Sequence, residues 1–416
     1  MARGLESVHE SAVSYVSRGL RWSRRIVAGA FERALEPRPE GPSRFDVGRF
    51  AGHVVREVRE RLGQRTPVLA TLPAACLPRG DRPFVLHLID SVGMGGSQKI
   101  IFDLLRGLGD RWDMEVVARD VDTRLHFGDA PLRVAASAAA LEALGRGRRP
   151  DVVHVHYWGN ARWLGAALEA ILAGHPGVPV LMNMNSPAPM WEHPAVSHVA
   201  YVSEYLRAYA PTRRPSSIVY PGVDVATYRP RAEVRRDERD ETVGLVYRLE
   251  NDKLAAETID VLIALARLRP RARIVIIGEG THFEHFVRQT RVHGVRDRFH
   301  FAGLVSYEDL PAHYDRFTLF LAPVHTESYG LVVPYAMAKA IPVCGYRVGA
   351  LEELIGHGEG LVETPQALAA LGARVLAEPE RQVALAAGSR ERVCERFSLE
   401  AMLEGYGGLY TGLATR

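Results

Sequence analysis

The chain has 416 residues, 47% hydrophobic and 24% charged, which is ordinary globular material long enough for two domains and an appended segment. A formal net charge of +3 is too small to single out nucleic acid as a partner. Cys76, Cys344 and Cys394 lack metal-ligand spacing and their odd number gives no disulfide framework, so a reducing, cytoplasmic setting is expected. No apolar run approaches the ~18 residues that span a bilayer, and the N-terminus shows no signal pattern, which predicts a protein neither integral nor secreted.

Residues 1–80 read as a helical extension, with helical stretches over 15–35 and 50–62 separated by a proline-rich segment at 36–43. Arg18, Arg21, Arg24, Arg25 and Arg33 beside Val16, Leu20, Trp22, Ile26 and Phe31 compose a basic amphipathic helix. Such a face packs on the rest of the chain or on a second copy, with peripheral docking to a membrane surface as the alternative. From residue 83 onward, short β-branched runs alternate with helical patterns, the mark of βαβ units and parallel sheets. Strands are expected at 83–89, 152–156, 178–182 and 198–202, then at 243–247, 273–277, 299–302, 319–322 and 341–344. The fold class is therefore α/β, with two facing Rossmann-like domains at 81–228 and 229–397, hinged near 221–230. A closing helix at 398–416 is expected to cross back to the first domain. The strand ends would meet at a cleft, where open α/β sheets hold ligands.

Three segments carry the candidate chemistry. The first strand ends in Ser91-Val-Gly-Met-Gly-Gly-Ser97 before a helix beginning near Gln98 and Lys99, and such a turn lets backbone N–H groups approach an anion. No Gly-Lys-Ser/Thr follows, which disfavours a P-loop. Arg248 and Lys253 follow the first strand of the second half, where two cations can clamp a diphosphate and stabilise charge on it as it leaves. In His325-Thr-Glu-Ser-Tyr-Gly-Leu-Val-Val-Pro-Tyr-Ala-Met-Ala338, a carboxylate and a tight turn precede a helix. Glu327 can grip hydroxyls there, and the N–H groups near Gly330 and Leu331 can receive phosphate oxygens.

This last block resembles the signature of the large retaining GT-B glycosyltransferase family (family 4-like) that holds bacterial mannosyl-, glucosyl- and N-acetylglucosaminyltransferases. Further matches follow in order: Gly95-Gly96 with Lys99, Asp151-Val-Val-His-Val-His156, Tyr201-Val-Ser-Glu-Tyr205, Val219-Tyr-Pro-Gly-Val-Asp224, Ile277-Gly-Glu-Gly280, Phe301-Ala-Gly303, Pro342-Val343, Glu352 and Phe397-Ser398. The resemblance covers residues 83–412. It implies transfer of a hexose-type sugar from a nucleotide-diphosphate donor to an acceptor hydroxyl on a glycan, lipid or small natural product, with retained configuration. It further implies no cofactor or metal, the donor phosphate assisting acceptor deprotonation. Catalytic roles fall to Arg248, Lys253, Glu327 and His156. Donor contacts fall to Gly95, Gly96, Gly278, Gly280, Val305, Ser328, Tyr329, Gly330, Leu331 and Tyr335. His154, two residues before His156, is assigned to the other strand face and to a structural role.

The chain departs from the family pattern at three places. Tyr335 replaces the second signature glutamate, which in relatives binds ribose hydroxyls; it is expected to begin the helix after 328–330 and to face the nucleotide. Tyr247 stands where a glycine is usual. Met182-Asn-Met-Asn-Ser-Pro187 replaces a common threonine-to-histidine turn, so Trp158, Asn183 and Asn185, with Trp191, become candidates for an acceptor pocket. Two alternatives stay open at this level: a GT-B nucleotide-sugar epimerase or sugar phosphorylase, and a pseudo-glycosyltransferase that binds or activates a partner enzyme.

Overall fold

The computed structural model describes residues 78–122, 130–230, 241–356 and 358–415. All of them belong to one of the chain's two units, residues 67–416. The helical extension expected over 1–80 therefore lies outside the described residues, apart from 78–80.

Two parallel sheets form the body. The first contains β1 (Phe84–Val92), β2 (Asp113–Val121), β3 (Leu132–Val134), β4 (Val152–Tyr157), β5 (Val180–Met184), β6 (Val196–Tyr201) and β7 (Ser216–Ile218), in the order β3-β2-β1-β4-β5-β6-β7. The second contains β8 (Thr242–Val246), β9 (Arg273–Ile277), β10 (Phe299–Gly303), β11 (Leu319–Ala322), β12 (Val343–Tyr346) and β13 (Leu361–Val362), in the order β10-β9-β8-β11-β12-β13. Strands covered by helices on both faces must be apolar throughout. β4 and β5 are buried over their whole length accordingly. The expected strands all occur, with ends displaced by up to three residues. Sequence reading passes over β2, β3, β7 and β13. The last three have only two or three residues, too few to show a period. β2 mixes aspartate, glutamate and arginine among its valines, residues that lower strand propensity.

The chain crosses between the sheets at one seam. Val223 N–H donates to Phe397 O (2.8 Å) and Leu399 N–H donates to Val223 O (2.8 Å). A Cβ on Gly222 would lie 2.5 Å from Leu399 Cα, so only glycine admits the two segments side by side. From there the Leu399–Ala414 helix packs on the Gly96–Leu108 helix and on β4.

The N-terminal end of β2 is anchored by Asp113, whose side chain is fully buried. It accepts from Arg79 N (2.9 Å), Gly80 N (2.7 Å), Arg82 Nε (2.9 Å) and Arg148 Nη1 (2.5 Å). Burial pushes this carboxyl up, but the donors outweigh it and hold it well below the usual carboxylate range. Asp113→Ala strands two guanidinium groups and two N–H groups, and should cost ~3 kcal/mol in urea unfolding. A folded pKa below the unfolded value of about 3.9 means the contribution is complete at neutral pH and disappears as pH falls through the depressed folded value. Wild type should therefore lose stability on acidification more steeply than the variant.

Candidate active site

Each sheet reverses its winding direction once, between β1 and β4 and between β8 and β11. Ligands in open α/β sheets sit beyond the strand C-termini at such points. The loops leaving β8 and β11 carry Arg248, Lys253 and Glu327, while β1 leads into the glycine turn.

Glu327 is 2% exposed. Its Oε1 accepts from Lys253 Nζ at 2.6 Å and from Ser328 N at 3.0 Å. Its Oε2 is buried with no hydrogen-bond partner among the described residues. Two glycines shape this cradle. Gly330 has φ 81°, and a Cβ there would lie 2.7 Å from the Glu327 carboxyl. Gly349 has φ 53°, and its Cβ would meet Glu327 O at 2.1 Å. Both positions combine a left-handed backbone with a close approach, which excludes other residues. Arg248 is exposed and pairs with Asp252 four residues on. The Arg248 turn rests on the loop after β9: a Cβ on Gly278 would lie 1.9 Å from Tyr247 O, and Leu249 N donates to Glu279 O at 2.9 Å. Gly278 and Gly280 thus support the turn carrying Arg248. Tyr247 fills the core beneath it, with its hydroxyl unpartnered.

The first half meets this cradle directly. A Cβ on Gly96 would stand 4.0 Å from Leu331 Cδ1. Ser203 Oγ donates to Ser328 O (2.6 Å). Tyr307, in the loop after β10, both accepts from Gly95 N (2.9 Å) and donates to Gly95 O (2.8 Å). Glu353 accepts from Glu204 N (2.8 Å), Tyr205 N (3.2 Å) and the Tyr220 hydroxyl (3.2 Å). Sequence reading singles out neither Tyr307 nor Glu353; it names Glu352, which pairs with Arg347 on the surface. The structure thus gathers Lys253, Glu327, Ser328, Gly330 and Leu331 with Gly95 and Gly96. Tyr329 is buried against Tyr220 and Phe397, and Val305 and Trp158 are partly buried against the core.

Several expectations need correction. His154 does not face away from His156: residues two apart share a strand face, and the two rings lie 4.2 Å apart. His87 joins them from β1, its Nδ1 3.1 Å from His156 Nε2. All three are fully buried beneath the last helix, where the Tyr410 hydroxyl meets His154 Nδ1 at 2.8 Å. Burial pushes His87 down to about 3 and the other two well below the ordinary histidine value, so the cluster is neutral. One nitrogen from each ring lies within 4.8 Å of the others. Metal-bound histidines place their second nitrogen on an oxygen partner. Among the described residues only His154 has one, and His87 and His156 bond each other instead, so the cluster reads as packed polar core. Asn183 is likewise a core residue, its Oδ1 accepting from the Tyr406 hydroxyl (2.6 Å) and its Nδ2 donating to Asn185 Oδ1 (2.7 Å). Tyr335 does not begin its helix, which runs Val332–Ala338, and its side chain lies in the core. It is 3% exposed and stacked on Tyr228 with ring centroids 4.2 Å apart and planes 6° apart. Its hydroxyl has no partner among the described residues.

Comparison with known proteins agrees with this architecture. The Glycosyltransferase Family 4 description matches residues 94–227 and the Glycosyl transferases group 1 description matches residues 229–392. The chain belongs to this glycosyltransferase family and has the GT-B fold of two facing Rossmann-like domains. It is 26% identical over 316 residues to a glycogen synthase of Mycobacterium tuberculosis, covering 69% of this chain and 74% of that protein. It is 28% identical over 316 residues to a D-inositol 3-phosphate glycosyltransferase of Kineococcus radiotolerans, covering 64% and 73%. Among solved structures, HepE of Anabaena in complex with UDP and glucose superposes with a TM-score of 0.66 at 16% identity, covering 80% of this chain and all of that one. Among the described residues no helix is long and apolar enough to cross a membrane.

The position of Tyr335 generates a test by equilibrium unfolding. Tyr335→Phe removes an unpartnered buried hydroxyl and should be as stable as wild type or more so. Tyr335→Glu puts a carboxylate against the Tyr228 ring with no donor, and should lose ~3 kcal/mol. The reverse order of stabilities would place the Tyr335 hydroxyl in contact with something that holds it.

Proposed function

We propose that the protein transfers a hexose-type sugar, with retention, from a nucleoside-diphosphate donor to an acceptor hydroxyl, with no metal or cofactor in the transfer step. The observation that carries this reading is Glu327, a buried carboxylate with one oxygen held by Lys253 and Ser328 and the other unpartnered. A sugar hydroxyl donating to that oxygen would complete its hydrogen bonding. Lys253, beside it, and Arg248, on the exposed turn above, would receive the diphosphate and stabilise its growing charge. Backbone N–H groups at Gly330 and Leu331 would meet phosphate or sugar from below, and the Gly96 N–H from above, with the Gly95 N–H engaged by Tyr307. Catalysis is then positioning and leaving-group stabilisation, with the donor phosphate taking the acceptor's proton.

The reading requires the contacts of Gly95 with Tyr307 and of Ser203 with Ser328 to part when the donor enters, since Glu327 is buried while the two halves are in contact. His156, behind this wall in the buried cluster, would act by holding β1 and β4 in place. The base of the donor differs among relatives: one solved structure is described with UDP and glucose, and a mannosyltransferase, 30% identical over 226 residues, is described as GDP-mannose-dependent. The acceptor class is a glycan, a lipid or a small natural product.

A thermal-shift panel of nucleoside diphosphates and their sugars identifies the donor, because a ligand bound only by the native state raises the melting point. With that donor, Arg248→Ala should lower turnover by ~10²-fold with little change in stability, as its side chain is exposed and removable. Lys253→Ala should lower turnover at least as much and also destabilise the fold by ~3 kcal/mol, because Glu327 is left buried without its cation. Unchanged kinetics in both variants would remove the active-site assignment.

A further inference from the structure

The glycine turn of the first half is intrinsically loose. It holds Gly93, Gly95 and Gly96 within four residues, and each glycine adds backbone freedom that must be restrained before the turn can hold a ligand. The helix that follows, Gly96–Leu108, has Gly95 as its N-cap, so no side-chain cap holds its first turn. Within the first half, the turn is tied by Lys99 N donating to Gly95 O (3.0 Å) and by Gln98 Nε2 donating to Ser91 O (3.0 Å). The remaining restraint comes from the other half of the molecule. Tyr307 engages both backbone groups of Gly95 with one hydroxyl, and its ring lies under the Lys99 ammonium, 5.8 Å from ring centroid to Nζ. Tyr307 is itself held rigidly: Ser306 Oγ donates to Asp309 Oδ2 (2.7 Å), Asp309 N donates back to Ser306 Oγ (3.0 Å), and Leu310 N donates to Ser306 O (3.1 Å).

We propose that Tyr307 is a positioning residue, whose hydroxyl clamps Gly95 and fixes the glycine turn of the first half against the second in the arrangement that transfers sugar. This rests on the transferase reading above. A free turn would close on the donor in many geometries, and transfer needs one, so the clamp acts on the chemical step more than on donor binding. The opening that admits the donor breaks these two hydrogen bonds, and closure over the donor remakes them. The charged carboxylate contacts at Glu353 lie beside Tyr220 near the crossover seam and are placed to hold the halves together while the turn lifts.

Tyr307→Phe tests this directly, since it keeps the ring and its contact with Lys99 and deletes only the hydroxyl. The full-length variant should fold and melt within about 5 °C of wild type, as loss of two neutral hydrogen bonds allows. Amide hydrogen exchange of residues 93–97, measured without ligand, should quicken ~10-fold, because the Gly95 amide loses its acceptor. With the donor identified by the thermal-shift panel, kcat should fall ~10-fold while donor KM stays within about threefold. Unchanged exchange together with unchanged kcat overturns the proposal. So does tighter donor binding with undiminished kcat, which would make the hydroxyl an obstruction. If the wild type turns over no nucleotide sugar, the transferase reading fails, and the exchange data still decide whether the hydroxyl clamps the turn.

Discussion

The ion pair between Lys253 and Glu327 constrains most of what surrounds it. A carboxylate at 2% exposure is tolerable only with a charged, hydrogen-bonded partner. The two residues lie 74 positions apart, on loops leaving the neighbouring strands β8 and β11. The strand order of the second sheet is therefore what brings them together. The loops must also curl tightly enough for the carboxyl to turn back toward the backbone of Ser328, which explains the left-handed glycines at 330 and 349. Support for Arg248 follows the same logic from the other side, because Gly278 and Gly280 let the β9 loop press against the turn that carries it. Local sequence, backbone strain and sheet topology converge on one small volume.

The two halves are joined asymmetrically. Near the seam lie the Val223 and Leu399 backbone pairing, the Glu353 carboxylate with its three donors, and the returning helix with Tyr406 and Tyr410 set into the first sheet. Over the glycine turn, among the described residues, lie the Tyr307 phenol and the apolar approach of Leu331 to Gly96. Charge-assisted bonds are worth roughly 1.5–3 kcal/mol each and neutral ones about 1 kcal/mol, so the halves should separate first at Tyr307. The fold thereby concentrates stiffness at its hinge and leaves its jaws lightly held.

Much of this was legible in the sequence, for identifiable reasons. Buried parallel strands are short apolar runs, and β1, β4, β8 and β11 announce themselves in that way. Glycines at 95, 96, 278, 280 and 330 mark backbone that approaches something closely, and the structure shows what each approaches at 278, 280 and 330. What could not be read were contacts between distant segments. Tyr307 lies 212 residues from Gly95, and nothing near it in sequence marks its hydroxyl as different from that of any other tyrosine. Glu352 and Glu353 are equally plausible from sequence. Only the helix register sends one to Arg347 at the surface and the other across to the N–H groups of Glu204 and Tyr205.

Tyr335 and Asn183 both lie in the core, for a common reason. Each is polar at its tip and was read by that tip, yet both lie on faces that the fold covers. Period two along β5 places Asn183 beside His156 in register, beneath the Leu399–Ala414 helix, and Tyr406 supplies the partner that burial demands. Tyr335 falls on the side of its helix that meets Tyr228 and Tyr314, where ring stacking offsets an unsatisfied hydroxyl. A glutamate at 335 would be an isolated charge among rings. Tyrosine at this position is thus tied to Tyr228 across the crossover segment, and the two aromatic residues are best understood as one packing unit that the second half uses to seat the chain where it enters.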